Sequence, residues 1–266
     1  MTLSKIKNKK TKASRQKILL IAGIDPTGHA GIFRDAAVCQ SLGIEFIVMP
    51  TALAIQNDHT YFATVATALK TLSTQWQSLD FKTIGVIKIG MIPNLALAKF
   101  LVEKFRTLKN VKIVWDPVLA STSGGELISK TAFAYVRKNL LPLVDLVTPN
   151  AVEACRFLNL KFDPRTDGRK LASDFFDAFH VPVYLKGGHL QTRSDDFLVD
   201  GKSLYALAGE PTQKNIRGTG CYFSTTVACH FMKTRNLVQS CAAAKAAVTD
   251  LFVLDAVKKP CYAQPR

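Results

Sequence analysis

Short apolar runs that end on glycine, proline or small polar clusters alternate along the chain with longer stretches whose apolar residues recur every three or four positions. The first run, 18–22, is apolar without interruption and stops at Gly23, the pattern of a strand covered on both faces. A helical pattern opens near Ile32 and closes around Gly43, and 46–51 reads as a second strand. The alternation continues with a helix over 65–79, a strand over 85–89, a helix over 95–108 and a strand over 111–115. A helix over 132–140, a strand over 143–147, helices over 151–158 and 169–179 and a strand over 181–185 follow. Residues 197–199 and 203–207, split by Asp200-Gly201, predict a hairpin, and helices over 220–233 and 237–254 close the chain. Strands alternating with helices of this length imply an α/β domain whose mostly parallel central sheet is flanked by helices on both faces. Binding sites in such folds lie at the carboxyl ends of the strands.

Composition narrows the class. The 266 residues are 48% hydrophobic and 21% charged, ordinary for a packed protein, and the formal net charge is +15. Seven of those charges (Lys5, Lys7, Lys9, Lys10, Lys12, Arg15 and Lys17) lie in residues 1–17 with no acid among them, which leaves +8 over 18–266. The division expected is therefore a basic flexible tail, 1–17, and one domain, 18–266. The tail lacks the apolar core of a secretory signal, and its lysine-rich run differs from the arginine-rich composition of a transit peptide. With the body only moderately basic, nucleic acid is not the expected partner. No run approaches the roughly 18 apolar residues of a membrane helix. The six cysteines show no C-x-x-C pair and no regular spacing with the five histidines, so neither a disulfide framework nor a zinc site is expected. A reducing, cytoplasmic setting fits.

Candidate chemistry gathers where the strands end. These clusters are 23–31 with Asp35 one turn into the next helix, Gln56-Asn57-Asp58, Gly90-Met91, Asp116-Pro117-Val118, Thr148-Pro149-Asn150 with Glu153, and Lys186-Gly187-Gly188-His189. Singly each has a plainer account. Asp116-Pro117 opens turns, Asn150 with Glu153 starts helices by mutual capping, and paired glycines make turns. Jointly they surround one more segment, 215–221, in which Gly218, Thr219, Gly220 and Cys221 open a helix. Glycines at a helix start let the backbone approach an anion closely, while the unpaired N–H groups and the dipole favour negative charge. These pieces suit phosphoryl transfer, which asks for positioning and positive charge around the transferred group. The 218–221 amides supply donors, Lys186 a point charge, and Asp116 or Glu153 the hard oxygen ligands magnesium prefers. The acceptor hydroxyl belongs beside Cys221.

With these motifs assembled in order, the chain from about Ile18 to Leu254 resembles the ribokinase-like superfamily. Within it, the chain is most similar to the hydroxymethylpyrimidine and phosphomethylpyrimidine kinases of thiamin biosynthesis. The resemblance implies ATP and Mg2+ as cofactors, a small aminopyrimidine alcohol or its phosphate as substrate, and a homodimer. It implies that Gly23, Ala30, Asp35, Gln56, Met91 and Val118 hold the pyrimidine, with Asp35 and Gln56 bonded to its polar edge. Asn150 and Glu153 would organise the magnesium, Lys186 the nucleotide phosphates and 218–220 the anion hole. Cys221 stands where the superfamily usually has an aspartate base. A helix N-terminus lowers a thiol pKa and neighbouring phosphates raise it.

The chain departs from that pattern at three places. His29 replaces a glycine, Phe33-Arg34 replaces a Gln-Ala pair, and Arg217 replaces the histidine before Gly218. These changes bear on specificity more than on phosphoryl transfer. Two other readings share the fold: a pyridoxal or pyridoxine kinase, and a ligand-binding relative without turnover.

Overall fold

In the computed structural model, residues 16–121, 125–191, 195–209 and 216–258 are described, with side chains only to 252. Residues 1–15 of the basic tail, Asn215 and Cys261 lie outside them. In chain order the elements are β1 (Lys17–Ile24), α1 (Gly31–Ser41), β2 (Phe46–Gln56), β3 (Tyr61–Ala66), α2 (Leu69–Gln77), β4 (Ile84–Ile89), α3 (Leu95–Phe105) and β5 (Lys112–Trp115). They continue with α4 (Lys130–Asn139), β6 (Leu146–Val147), α5 (Ala151–Leu158), α6 (Gly168–Phe179), β7 (Val183–Leu185), β8 (Asp196–Val199), β9 (Leu204–Leu207), α7 (Thr219–Thr234) and α8 (Leu237–Lys258).

One sheet of order β3-β2-β1-β4-β5-β6-β7-β8-β9 runs through the protein. Strands β2, β1, β4, β5, β6 and β7 are parallel, and the antiparallel β3, β8 and β9 finish the two edges. Because successive side chains of a strand point to opposite faces, β1 feeds two cores. Leu19 and Ile21 join the cluster beneath α2 to α6, and Ile18 and Leu20 join the one beneath α1, α7 and α8. All four are fully buried, each worth about 1.5–3 kcal/mol of hydrophobic stabilisation. That double burial is why the strand is an unbroken apolar run. No helix among the described residues is long and apolar enough to cross a membrane.

Three expectations need correcting. The helix expected over 65–79 begins only at Leu69, and 61–66 is the antiparallel strand β3. Val65 stands in helical phase with Leu69, Leu72 and Trp76, but its cross-strand partner is Leu53. Strand β2 runs five residues past Thr51, so its outer half pairs with β3 as a two-stranded flap at the carboxyl end of the sheet. The strand expected over 143–147 shrinks to Leu146–Val147, because Pro142 opens a 3-10 turn over Leu141–Leu143.

Candidate active site

The carboxyl ends of β1, β2, β4, β5 and β7 and the start of α7 enclose one cavity of about 350 Å³. Of the fourteen residues nominated from sequence, thirteen line it: Gly23, Ala30, Gln56, Met91, Val118, Asp116, Asn150, Glu153, Lys186, Gly218, Thr219, Gly220 and Cys221. Their sequence separation is closed by the fold alone.

At one end lies the start of α7. Gly218 caps the helix with φ of 78°, a left-handed backbone that favours glycine, and a Cβ there would collide with the carbonyl oxygen of His29. The first amide after the cap to find a partner inside the helix is Tyr222, whose N–H donates to the Gly218 carbonyl at 2.9 Å. The preceding N–H groups, those of 219–221, belong to the first turn, which lacks intrahelical acceptors, and all three residues line the cavity. Gly220 keeps the backbone close to charge: a Cβ on it would lie 3.3 Å from Lys186 Nζ and 3.6 Å from Asp116 Oδ2.

Lys186 Nζ donates to Asp116 Oδ1 at 2.9 Å. Burial alone would lower the lysine, but the charges of Asp116 and Glu153 override it and hold the ammonium charged. Burial likewise works to raise Asp116, and Lys186 and Lys88 pull it below the usual carboxylate range. Its remaining bonds are weak, with Thr148 Oγ1 and Ser224 Oγ each at 3.4 Å, so the carboxylate keeps acceptor capacity toward the cavity. Glu153 and Asn150 form a reciprocal cap on α5, Asn150 N–H donating to Glu153 Oε2 at 2.8 Å and Glu153 N–H to Asn150 Oδ1 at 2.9 Å. The plainer sequence account of this pair as a helix start thus holds, while both residues also face the cavity. Burial pushes Glu153 up to about 7, with Lys186 opposing and Asp116 adding to the rise. No group of three or more histidine, cysteine or acidic side chains able to hold a metal occurs among the described residues. A pair of carboxylates facing an anion hole instead suits a cation shared with phosphate oxygens.

The opposite end sets the apolar Met91, Val118 and Ala30 beside the polar Gln56 and Asp25. Met91 Sδ packs against Gly23 so closely that a Cβ there would come within 2.8 Å of it. The Gln56 amide donates toward Asp25, while Gln56 Oε1 is buried without a hydrogen-bond partner among the described residues. A buried unpaired amide oxygen beside a cavity is a vacant acceptor for an incoming N–H.

Cys221 lies between the two ends. Burial pushes its thiol up to about 12, Lys88 opposes, and Asp35 and Asp116 add to the rise. The lowering expected from the helix start is outweighed, so the group is a protonated thiol near neutral pH.

Asp35 is the residue the fold takes away from the cavity. Both its oxygens accept from Lys88 Nζ, at 2.9 and 2.8 Å, and Thr225 Oγ1 donates to Oδ1 at 2.7 Å. Asp35 and Lys88 are fully buried, so the expected bond from Asp35 to a pyrimidine gives way to a structural ion pair. Lys88 was missed as its partner although the signal was present. A lysine near the end of the otherwise apolar β4 has to find an acid. Asp25 was also overlooked: it organises the first loop by accepting from Thr27 N–H at 3.0 Å, Thr27 Oγ1 at 2.8 Å and Ala30 N–H at 3.1 Å.

The phosphomethylpyrimidine kinase family matches residues 25–260 of this chain. The hydroxymethylpyrimidine/phosphomethylpyrimidine kinase of Aquifex aeolicus is 32% identical over 236 residues, covering 87% of this chain and 92% of that protein. A crystal structure of phosphomethylpyrimidine kinase from Clostridium difficile superposes with a TM-score of 0.77 at 25% identity, covering 89% of this chain and 99% of the other. The pyridoxal kinase of Staphylococcus aureus in complex with pyridoxal gives 0.78 at 27% identity, over 88% and 86% of the two chains.

Proposed function

Since the chain belongs to the phosphomethylpyrimidine kinase family, we propose that its cavity transfers the γ-phosphoryl group of ATP to 4-amino-5-hydroxymethyl-2-methylpyrimidine and to its monophosphate. The observation that carries this reading is the single cavity in which Gln56, Cys221, the 218–220 loop and the Lys186, Asp116, Glu153 set stand together. The pyrimidine ring lies against Met91, Val118, Ala30 and Gly23, and its exocyclic amine donates to the vacant Gln56 Oε1. The γ-phosphate sits on the α7 amides with Lys186 beside it. Asp116 and Glu153 would hold magnesium, which would neutralise phosphate charge, while Asn150, its amide oxygen already engaged, positions Glu153. The acceptor oxygen attacks the γ-phosphorus, the bond between that phosphorus and the ADP oxygen breaks, and in the first reaction the alcohol proton passes to water. The Cys221 thiol orients that oxygen rather than waiting as a thiolate.

Two further proposals follow from the same reading. The flap exposes Leu53, Ile55, Phe62 and Val65, at 44%, 43%, 64% and 55% of their surface. Leu53 and Val65 are cross-strand partners on one face, an apolar patch suited to a second copy of the chain in a homodimer. The second is a cytoplasmic setting, with which the five free thiols among the described residues are compatible.

The test is an ADP-release assay with the aminopyrimidine alcohol, its monophosphate and pyridoxal, with and without magnesium. Magnesium-dependent release with the pyrimidines exceeding that with pyridoxal supports the reading. Turnover of pyridoxal alone makes the chain a pyridoxal kinase. Binding without release makes it a ligand-binding relative.

A further inference from the structure

The wall of the cavity holds a guanidinium that the reaction as described leaves without a task. Arg217 immediately precedes Gly218 and its side chain is 21% exposed. Its contacts among the described residues are long: Asp25 Oδ2 at 3.8 Å, Asp58 Oδ1 at 3.5 Å and the Asp58 carbonyl oxygen at 3.5 Å. Its Nε is buried and has no hydrogen-bond partner among the described residues. A guanidinium carries five N–H donors, and a good charged bond needs about 2.7–2.9 Å. At the distances here the donors are available to an anion. The two carboxylates do not use them up. Asp25 already accepts from Thr27, Ala30 and Gln56, and Asp58 is 62% exposed and screened by water.

The arginine's neighbours fix its place. Arg34 Nη2 donates to the Arg217 carbonyl at 3.5 Å, and Arg34 Nε donates to the His29 carbonyl at 3.2 Å. His29 Nδ1 stands 3.1 Å from Thr27 Oγ1 and 3.6 Å from Asp58 Oδ1. His29, Arg34 and Arg217 therefore form one assembly joining the first loop, the flap turn and the anion loop. Its side matters. Asp25, which faces the guanidinium, also receives the Gln56 amide, so Arg217 stands toward the acceptor end of the cavity. Lys186 stands on the other side, against Gly220 and Asp116.

We propose that Arg217 determines specificity by binding the phosphate of an aminopyrimidine monophosphate, so that the chain favours the phosphorylated acceptor over the alcohol. The proposal rests on the kinase reading above. In that reaction a non-bridging oxygen of the acceptor phosphate attacks the γ-phosphorus, a P–O–P linkage forms and the bond to ADP breaks. No alcohol proton has to be removed. Two anions must approach each other, and a cation placed beside the acceptor phosphate lowers their repulsion.

The experiment measures kcat/KM for the alcohol and for the monophosphate, at saturating magnesium-ATP, in the wild type, R217Q and R217K. The ratio of the two values does not depend on how much of a preparation is folded. The monophosphate-to-alcohol ratio is expected to fall at least tenfold in R217Q, through KM for the monophosphate, and by a smaller factor in R217K, which keeps charge without the planar fork. An unchanged ratio in R217Q overturns the proposal. So does a rise of KM for ATP, read from a parallel ATP titration, that is equal with both acceptors at constant ratio, which would place Arg217 on the nucleotide. If R217Q does not fold, R217K decides: a threefold or greater fall supports the proposal and an unchanged ratio overturns it. A wild type that releases no ADP with either acceptor overturns the kinase reading first, and the proposal with it.

Discussion

Two lysine–aspartate pairs at the carboxyl end of the sheet have the same chemistry and opposite fates. Lys88 and Asp35 lie at 2.8 Å with both side chains fully buried, whereas Lys186 and Asp116 lie at 2.9 Å with the lysine 19% exposed. In the first pair both carboxylate oxygens face the ammonium and Thr225 adds a third bond, so the acid is held in place outside the cavity lining. In the second, one oxygen meets the lysine and the remaining bonds are 3.4 Å long. Saturation makes a structural strut, and incomplete pairing beside a cavity makes a site. Lys88 also lines the cavity, which Asp35 does not. Burial would drive it down, the Asp35 charge overrides that, and the resulting fixed cation bears on Cys221 and Asp116.

Lys88→Met should give the largest effect, because it leaves Asp35 as an uncompensated buried charge. A loss of about 3–5 kcal/mol in unfolding free energy is expected from denaturant titration, and Asp35→Leu combined with Lys88→Met should recover much of it. A strut without energetic coupling between its halves would instead show additive losses. Lys186→Met should act on rate: kcat is expected to fall by about 10²–10³, or about 3 kcal/mol, in steady-state assays. A larger loss of stability than of rate would erase the distinction between the pairs.

Glu153→Gln sharpens the picture through pH. Its carboxyl rises from the usual 4.5 to about 7 in the folded protein, so folding favours the protonated form. The native state carries no penalty below pH 4.5, loses stability as pH rises through 7, and bears the full cost above it. The variant should therefore be more stable than the wild type at pH 8 by at most about 3 kcal/mol, and equal to it at pH 4.5, in parallel melts. The same carboxyl must ionise to hold a cation, so magnesium affinity of the wild type should rise through pH 7. Cys221→Ser should give the smallest change. Because the thiol is protonated, a hydroxyl can replace it, and kcat should stay within about tenfold, well short of the 10²–10⁴ typical of a lost general base.

The sequence was most legible where local and tertiary requirements coincide. Helix α5 is found at 151–158 as expected, because its capping box fixes the start and Asn159, left-handed at φ of 57°, fixes the end. The unbroken apolar run of β1 likewise announced a strand covered on both sides. Strand β3 was illegible because its exposed apolar residues look toward no core within the chain, which left Val65 to extend the helical phase of its neighbours. The strand-end clusters located the cavity, since parallel topology sends them all to one edge. What the pattern could not convey is the direction of individual side chains. Asp35, one turn into α1, could have faced the ligand, and the buried Lys88 behind it claimed it. For Cys221, position at a helix start suggested a lowered thiol, and only the depth of burial reverses the sign.

The central claim is that one cavity holds the aminopyrimidine at Gln56 and the γ-phosphate at the α7 start, with Cys221 between them. The most direct measurement is a crystal structure of the complex with a non-hydrolysable ATP analogue, magnesium and the aminopyrimidine alcohol. The account predicts the ring amine on Gln56 Oε1 and the γ-phosphate on the 218–220 amides beside Lys186, with the hydroxymethyl oxygen facing Cys221. A pyrimidine bound elsewhere, or a nucleotide whose terminal phosphate avoids the α7 start, would contradict it.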